Sequence, residues 1–406
     1  MKKLFLIFTL LSFSFTLNAQ WVQMSNGMGT KFRIYSLGYC RNNIVAGAQN
    51  TINSATYTYV SSNNGVNWLQ TTFTKVANCY ITNDTFLLAG TSSGVYRSND
   101  FGMNWSYYSI SDKSISDFAK IGTTLFAAIG SFVYKSTNVG FTWSPSSDFN
   151  RFTRCLSVSG NELYSGTEVV SGNGGIYKST NFGQNWTNSL NNAKVISIAT
   201  NGPNIYAALI YVTGSIGRGV YLSTNSGQNW SPTSLNYLDI FTLAISGSNV
   251  IAGSDSGIFV TTNNGTTWAK KNQGFDTIPS INNLLIKNEF VFAGTWGKSV
   301  WRRSLSEIIG VQNISSKVPS AFSLKQNYPN PFNPSTSIEF DILTESDVLL
   351  KIFDVSGKEI TTLVNEKLDE GSYIAEWNVG NYPSGIYFYT LSAENFSQTK
   401  KMILIK

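Results

Sequence analysis

The stretch Ser179-Thr180-Asn181-Phe182-Gly183-Gln184-Asn185-Trp186 decides the fold of this chain, because five further versions of it occur along the sequence. Every version reads Ser/Thr-x-Asn/Asp-x-Gly-x-x-Trp. In this octapeptide the third side chain can accept hydrogen bonds from the backbone N–H groups that follow it. The glycine can adopt a positive φ, and a buried tryptophan hides about 150–250 Å² of surface. The six versions are Ser61–Trp68, Ser98–Trp105, Ser136–Trp143, Ser179–Trp186, Ser223–Trp230 and Thr261–Trp268.

Folding alone accounts for the residues that define the octapeptide. Five of the six third positions are Asn, so the turn does not need a negative charge. Burial of each tryptophan contributes on the order of 4–6 kcal/mol before entropy and unfolded-state corrections. We therefore interpret as structural the residues Asn63, Gly65, Trp68, Asp100, Gly102, Trp105, Asn138, Gly140, Trp143, Asn181, Gly183, Trp186, Asn225, Gly227, Trp230, Asn263, Gly265 and Trp268.

The spacing of the octapeptides predicts a repeat architecture. Their tryptophans are 37 to 44 residues apart, and each octapeptide follows an apolar hairpin such as Phe86–Gly90 with Gly94–Arg97. A period of about 40 residues with four short strands is typical of β-propeller blades. Counting hairpins gives a seventh unit, and the segment Trp21–Gly27 resembles Trp268–Gly274 after the sixth octapeptide. The sequence therefore predicts an all-β, seven-bladed β-propeller over residues 20–306, with the N-terminal segment completing blade seven.

The N-terminus has the pattern of a secretory signal peptide. Lys2 and Lys3 precede an apolar run from Leu4 to Leu17, and the small residue Ala19 follows. This pattern predicts a signal peptide over residues 1–19. The apolar run is shorter than the roughly 20 residues that a membrane span needs, and we expect no transmembrane segment elsewhere.

Composition argues against nucleic-acid binding. Charged residues make up 13% of the chain, against about 25% in typical domains. The formal net charge is +6, but the basic residues are scattered and form no stripe or face. We therefore expect no nucleic-acid partner.

The residue types that hold metals and activate nucleophiles are scarce. The chain contains no His, and its three cysteines, Cys40, Cys79 and Cys155, form no Cys-x-x-Cys pair. We interpret these cysteines as small buried hydrophobic residues. The sequence predicts no metal site and no cofactor, and the usual Ser-His catalytic arrangement is excluded.

The composition changes from residue 307, and we predict a linker over 307–320. The proline-rich stretch Tyr328–Pro334 then leads into the alternating pattern of Thr336–Phe340, and apolar alternation continues to the C-terminus. This pattern predicts a small immunoglobulin-like β-sandwich over residues 321–406. The stretch Phe322–Pro334, with Val348–Lys358 and Lys401–Lys406, resembles the type A C-terminal sorting domain of the type IX secretion system. The resemblance implies contact with the secretion machinery and passage through the periplasm to the outer cell surface or the extracellular space.

The octapeptides resemble the Asp boxes, or BNR repeats, of sialidase-type propellers. The segment Phe32-Arg33-Ile34-Tyr35 is similar to the Arg-Ile-Pro motif of sialidases, but it lacks the proline. No recognisable Tyr–Glu pair accompanies it, so we interpret Arg33 as structural and predict no catalytic residue. The repeat Leu88–Ser98 is more similar to the photosynthesis assembly factor type of seven-bladed propeller, a resemblance that implies a non-enzymatic binding protein.

The favoured interpretation is an exported, monomeric, non-enzymatic propeller that binds an extracellular protein or glycan. The alternative is a secreted glycoside hydrolase, sialidase-like or with another carboxylate-dependent site. We expect the ligand at the face formed by the loops between the second and third strands of each blade and by the connections from one blade to the next, where aromatic and polar groups can combine. The predicted ligand-binding residues are Glu168, Arg218, Tyr237, Asp276 and Trp296.

Overall fold

The computed structural model describes residues 20–83, 85–146, 151–169, 174–309, 311–315, 317–379 and 382–405. The predicted signal peptide, residues 1–19, lies outside the described residues. Within these ranges the chain forms nine four-stranded antiparallel sheets, seven in the N-terminal part and two in the C-terminal part. The predicted fold class is confirmed: a seven-bladed β-propeller is followed by a small β-sandwich.

Each propeller blade is a meander in which the first strand is innermost. The second strand is buried on both faces because it lies between neighbouring blades, which explains its apolar and small residues. The strands of blades one to three are β2 (Phe32–Cys40), β3 (Asn43–Asn50), β4 (Thr56–Ser61), β5 (Leu69–Gln70); β6 (Ala77–Thr82), β7 (Leu87–Thr91), β8 (Gly94–Ser98), β9 (Ser106–Ser109); and β10 (Asp117–Ile121), β11 (Thr124–Ile129), β12 (Phe132–Ser136), β13 (Ser144–Pro145).

Blades four to seven repeat this pattern. Their strands are β14 (Thr153–Ser159), β15 (Glu162–Thr167), β16 (Gly175–Ser179), β17 (Thr187–Asn191); β18 (Lys194–Asn201), β19 (Asn204–Ile210), β20 (Gly219–Ser223), β21 (Ser231–Pro232); β22 (Ile240–Ser246), β23 (Asn249–Ser254), β24 (Gly257–Thr261), β25 (Ala269–Lys270); and β26 (Ile281–Lys287), β27 (Phe290–Thr295), β28 (Val300–Ser304), with β1 (Val22–Gln23) as the outer strand of blade seven.

The ring closes through the N-terminal segment, as the sequence predicts. Val22 of β1 pairs with Arg302 of β28 in antiparallel register. The preceding Trp21 is fully buried, donates its indole N–H to the carbonyl of Lys271 at 2.7 Å, and stacks on Phe275. The innermost strands β26 and β2 contact each other. Closure leaves no blade at an open end of the repeat array.

Side chains near the start of the innermost strands join neighbouring blades. Six of the seven innermost strands have a β-bulge within their first four residues, for example between Ile34 and Ser36 of β2. The residues at and after the bulge reach the backbone of the next blade. Such bonds are Ser36 Oγ to Ala77 O (2.5 Å), Asn78 Nδ2 to Ile115 O (3.0 Å), Leu156 N to Asp117 Oδ2 (2.8 Å), Leu243 N to Ser197 Oγ (3.2 Å), Leu284 N to Thr242 Oγ1 (3.2 Å) and Asn283 Nδ2 to Tyr35 O (2.8 Å).

The octapeptides form the turn between the third and fourth strands. In the turn of blade four, Asn181 Oδ1 accepts hydrogen bonds from the N–H of Asn185 at 2.9 Å and from the hydroxyl of Ser179 at 3.0 Å. Gly183 has a φ of +77° and donates its N–H to Ser179 Oγ. Trp186 donates its indole N–H to the carbonyl of Gly183. These hydrogen bonds are all formed within the octapeptide, so they fix the turn without help from the rest of the blade.

The three cysteines are free and buried, which confirms their interpretation as small hydrophobic residues. Burial raises the pKa of the Cys79 and Cys155 thiols well above the ordinary value, and the neighbouring Asp117 raises them further. The thiolate is the nucleophilic form of cysteine, so these thiols are inert at neutral pH.

The C-terminal part is a sandwich of two antiparallel sheets. Their inner faces enclose one hydrophobic core that includes Ile338, Leu350, Trp377 and Tyr389. One sheet has the order β29-β34-β31-β30 and the other β33-β32-β35-β36. The strands are β29 (Gln312–Ser315), β30 (Ser323–Leu324), β31 (Ser335–Ile342), β32 (Ser346–Phe353), β33 (Glu359–Leu368), β34 (Gly371–Asn378), β35 (Gly385–Ala393) and β36 (Phe396–Leu404).

The stretch 307–320, which the sequence predicts as a linker, contains ordered elements. The short helix α1 (Leu305–Ile309) places Ile308 in the propeller core beside Trp21 and Trp301. Strand β29 then pairs with β34 at the edge of the sandwich. Backbone pairing orders β29 even though its sequence has no strong apolar alternation. The domain limits at residues 306 and 320 stay predictions.

Within the described part of the chain, no helix is long and apolar enough to cross a membrane.

Candidate ligand-binding face

The two ends of the propeller are formed by different turns and loops. The octapeptides and the turns between first and second strands lie at one end, which we call the octapeptide face. The loops between second and third strands, together with the residues that precede each innermost strand, lie at the opposite end. We call this end the loop face. All five predicted ligand-binding residues lie on the loop face.

The loop face carries the more exposed aromatic side chains. Phe152, Tyr211, Tyr237 and Trp296 are 61%, 51%, 60% and 54% exposed. Among the described residues of the octapeptide face, only Phe141 is an aromatic residue more than half exposed, at 64%. Exposed aromatic rings beside polar groups are the usual components of a ligand site.

Glu168 lies at the seam between blades four and five. Its carboxylate forms an ion pair with Lys194 at 2.9 Å and a second with Arg154. Both cations are near the start of an innermost strand, β18 and β14 respectively. The charge of Glu168 is therefore compensated by two cations, and its ion pair with Lys194 joins the end of β15 to the next blade.

Arg218 lies at the seam between blades five and six. Its Nε is 3.9 Å from Asp239 Oδ1, and its guanidinium lies 5.1 Å from the ring centre of Tyr211. The same Asp239 oxygen accepts the N–H of Tyr211 at 2.9 Å. Tyr237 precedes Asp239 in this seam, and its ring is open to solvent.

Asp276 and Trp296 belong to the loops of blade seven. Asp276 is ion-paired with Lys298 at 3.0 Å. A hydrogen bond from the N–H of Thr277, together with Lys298, lowers the pKa of Asp276 below its ordinary value. The predicted residues thus share one face, but each has its own partners, and the structure gives no contact that brings the five into a single cluster among the described residues.

Arg33 contacts Trp296, and the sequence does not predict this contact. Its guanidinium carbon lies 3.3 Å from the ring centre of Trp296 and 4.2 Å from that of Tyr35. An antiparallel bridge joins Arg33 to Trp296 across the seam between blades one and seven. Burial lowers the pKa of Arg33. The only signal in the sequence is the Phe32–Tyr35 motif, which we interpret there as structural.

Asp117 is a carboxyl group in the wall of the central channel. Burial raises its pKa to about 7, although hydrogen bonds from the N–H groups of Leu156 and Phe118 act in the opposite direction. Each of its two oxygens accepts one of these bonds. No group of three His, Cys, Asp or Glu side chains in the described ranges could hold a metal ion.

The C-terminal sandwich matches a known family. Residues 326–406 match the family described as secretion system C-terminal sorting domain. The C-terminal part is a type IX secretion system sorting domain. The sorting domain marks the chain for export to the cell surface or the extracellular space. A search of curated proteins found no match.

Solved structures with related folds are distant in sequence. PorZ of Porphyromonas gingivalis, a surface component of the type IX secretion system, is 12% identical with a TM-score of 0.54; the alignment covers 92% of this chain and 59% of PorZ. YCF48 bound to a D1 peptide is 15% identical with a TM-score of 0.54, over 70% of this chain and 94% of YCF48. Virginiamycin B lyase of Staphylococcus aureus is 11% identical with a TM-score of 0.55, over 70% of this chain and 98% of the lyase. These identities establish the propeller fold alone.

Proposed function

We propose that this exported propeller binds an extracellular protein or glycan at its loop face and does not act as an enzyme. The observation that carries the proposal is the concentration of exposed aromatic rings on that face. Phe152, Tyr211, Tyr237 and Trp296 are each more than half exposed, although such rings gain free energy from burial. A ligand that covers them would recover part of this free energy, and the neighbouring charged groups would orient it.

Three carboxylates of the loop face are held in ion pairs, which supports binding over hydrolysis. Glycoside hydrolases commonly use two carboxyl groups about 5–9 Å apart, one of them able to donate a proton. Glu168, Asp239 and Asp276 are each paired with a cation. Asp117 has a raised pKa, as a general acid requires, but both of its oxygens accept backbone N–H groups. This arrangement favours a structural role for Asp117.

The distant structures are compatible with a binding role. YCF48 was solved with a D1 peptide bound, and PorZ is described as a surface component of the secretion system. The lyase shows that a related fold can also carry an enzyme. Fold similarity does not decide between these roles, so the residues of the loop face carry the proposal.

A combined assay separates binding from catalysis. The protein without its N-terminal signal would be incubated with arrays of glycans and extracellular proteins, and the same ligands in solution would be analysed for cleavage products. The proposal predicts retention on at least one ligand with no product formed. Product that disappears in the Asp117→Asn variant would overturn it in favour of the hydrolase, and product that persists in this variant would equally exclude a purely binding role.

A further inference from the structure

Arg33 differs from the other arginines that lie against aromatic rings. Arg97 lies 4.2 Å from the ring centre of Phe86, but it also donates to Asn99 Oδ1 at 2.8 Å. Arg302 lies 4.3 Å from the ring centre of Phe290 and donates to the carbonyl of Asn64. Arg218, next to Tyr211, has Asp239 as its counter-ion. Each of these guanidinium groups has an acceptor supplied by the protein.

The guanidinium of Arg33 contacts two aromatic rings but has no hydrogen-bond acceptor among the described residues. It lies between Trp296 and Tyr35, and among the described residues no carboxylate, carbonyl or hydroxyl accepts its hydrogen bonds. Its Nε is buried without a partner. A guanidinium has five N–H donors in a planar fork that matches a carboxylate. Leaving such a group partly desolvated and unpaired is unfavourable unless a ligand supplies the anion.

The backbone holds this pair of side chains in place. Trp296 donates its N–H to the carbonyl of Ser280 at 3.0 Å, and the N–H groups of Gly297 and Ser299 donate to the carbonyl of Phe32 at 3.2 Å and 3.0 Å. These bonds fasten the loop of blade seven to the first strand of blade one. The relative position of Arg33 and Trp296 is therefore fixed before a ligand arrives, which reduces the entropy lost on binding.

Trp296 has one ring face left for a ligand. Arg33 covers one face of the indole, yet 54% of the residue remains exposed. The opposite ring face must account for much of this exposure. The seam therefore presents an anion receptor on one side of the indole and an apolar platform on the other.

We propose that Arg33 and Trp296 form an anchoring subsite for a glycan that carries carboxylate groups, such as a chain of uronic acids. This inference rests on the proposed binding function of the loop face and names its ligand class. An acidic sugar supplies a carboxylate for the Arg33 fork, and the apolar C–H face of a neighbouring sugar ring covers the open face of Trp296.

Neighbouring groups favour a glycan over a peptide strand. A peptide often binds by adding a strand to an open sheet edge. At this seam the carbonyls of Ile34 and Tyr35, on the inner edge of β2, already accept the amide of Asn283. Asn282, beside Asn283, has an amide N–H₂ without an acceptor among the described residues, and Ser280 adds a hydroxyl group. Amide and hydroxyl groups suit a ligand rich in hydroxyls.

The test compares carboxylated glycans with their carboxyl-reduced forms. The full chain without its signal peptide would be titrated with oligogalacturonate and alginate oligosaccharides, and with the reduced form of each. We expect at least one carboxylated glycan to bind and to lose about 10- to 100-fold in affinity on reduction, as for a lost hydrogen bond to a charged group. Arg33→Gln should give a loss of similar size, and Arg33→Lys should recover only part of it, because an ammonium group cannot form the planar fork.

Arg97→Gln is the matched control, because Arg97 also lies against aromatic rings but has its own acceptor. It should leave the affinity unchanged, and the thermal unfolding of each variant shows whether the propeller is intact. If the loop face retains neutral glycans or proteins and Arg33→Gln binds them like the wild type, the carboxylate inference is wrong and the proposed function stands. If no ligand of any class is retained, both proposals are wrong.

Discussion

The carboxylate of Asp117 accepts the backbone N–H of Leu156 at 2.8 Å, and so joins blade three to blade four at the central channel. The same position of other blades carries Ser36, Thr242 or Asn283, which are neutral. Blade three therefore makes its contact to the next blade with a titratable group.

Asp117 should give the propeller a pH-dependent stability. Burial raises its pKa to about 7, whereas the unfolded chain releases this proton near the ordinary value of 3.8. Between these values the folded state holds more protons than the unfolded state. The contribution of Asp117 to the free energy of unfolding therefore falls as the pH rises from about 4 to about 7. Each unit of difference between the folded and unfolded pKa values of Asp117 changes the free energy of unfolding by about 1.4 kcal/mol over this range.

The free energy of unfolding of the wild type and of Asp117→Asn would be measured from pH 4 to pH 8. The wild type should lose stability relative to the variant as the pH rises from about 4 to about 7, and the difference should level off as the pH approaches 8. Asp112→Asn, at an exposed position three residues after strand β9, is the control. Parallel pH curves for the wild type and Asp117→Asn would show that Asp117 ionises in the folded protein as it does in the unfolded chain.

The octapeptide turns should tolerate an exchange of Asn for Asp but not for Ala. Asn181→Ala removes the acceptor for Asn185 N–H and Ser179 Oγ, which should lower the free energy of unfolding by about 1 kcal/mol. Asn181→Asp keeps both bonds, as Asp100 does in the turn of blade two. Denaturant titrations of the two variants provide the comparison. Equal losses for Ala and Asp would indicate that the side-chain hydrogen bonds of the turn are not what stabilises it.

The sorting domain should be needed for export and not for folding of the propeller. Ile308 packs in the propeller core, and the buried Arg303 contacts Glu307. A chain that ends at Ile309 retains these contacts and should unfold at the temperature of the full-length propeller, whereas one that ends at Ser304 should be less stable. Fractionation of the producing cells should find the Ile309 form only inside the outer membrane. Its normal appearance in the medium would contradict the role of the sorting domain.

The fold could be predicted from the sequence because its determinants are local and repeated. Each octapeptide specifies its own turn, and the likeness of Trp21–Gly27 to Trp268–Gly274 reveals how the ring closes. The sorting domain is recognisable from the Tyr328–Pro334 stretch. Strand β29 could not be predicted, because its order comes from pairing with β34 and not from an apolar pattern of its own.

The site could be predicted only in part. Aromatic and polar residues in the loops pointed to the loop face, but they did not show which side chains meet there. Arg33 and Trp296 lie at opposite ends of the propeller sequence, and their contact depends on the register between blades one and seven. The ion pairs of Glu168 and Asp276 likewise depend on loop conformations that no periodicity encodes.

The most direct test of the binding proposal compares the two faces of the propeller on one array of extracellular proteins and glycans. A double variant, Tyr237→Ala with Trp296→Ala, removes two exposed rings from the loop face, and Phe141→Ala removes the most exposed ring from the octapeptide face. The account predicts that the double variant loses at least tenfold in retention of every ligand that the wild type holds, while Phe141→Ala retains them unchanged. Loss of retention in Phe141→Ala, with binding intact in the double variant, would contradict the account.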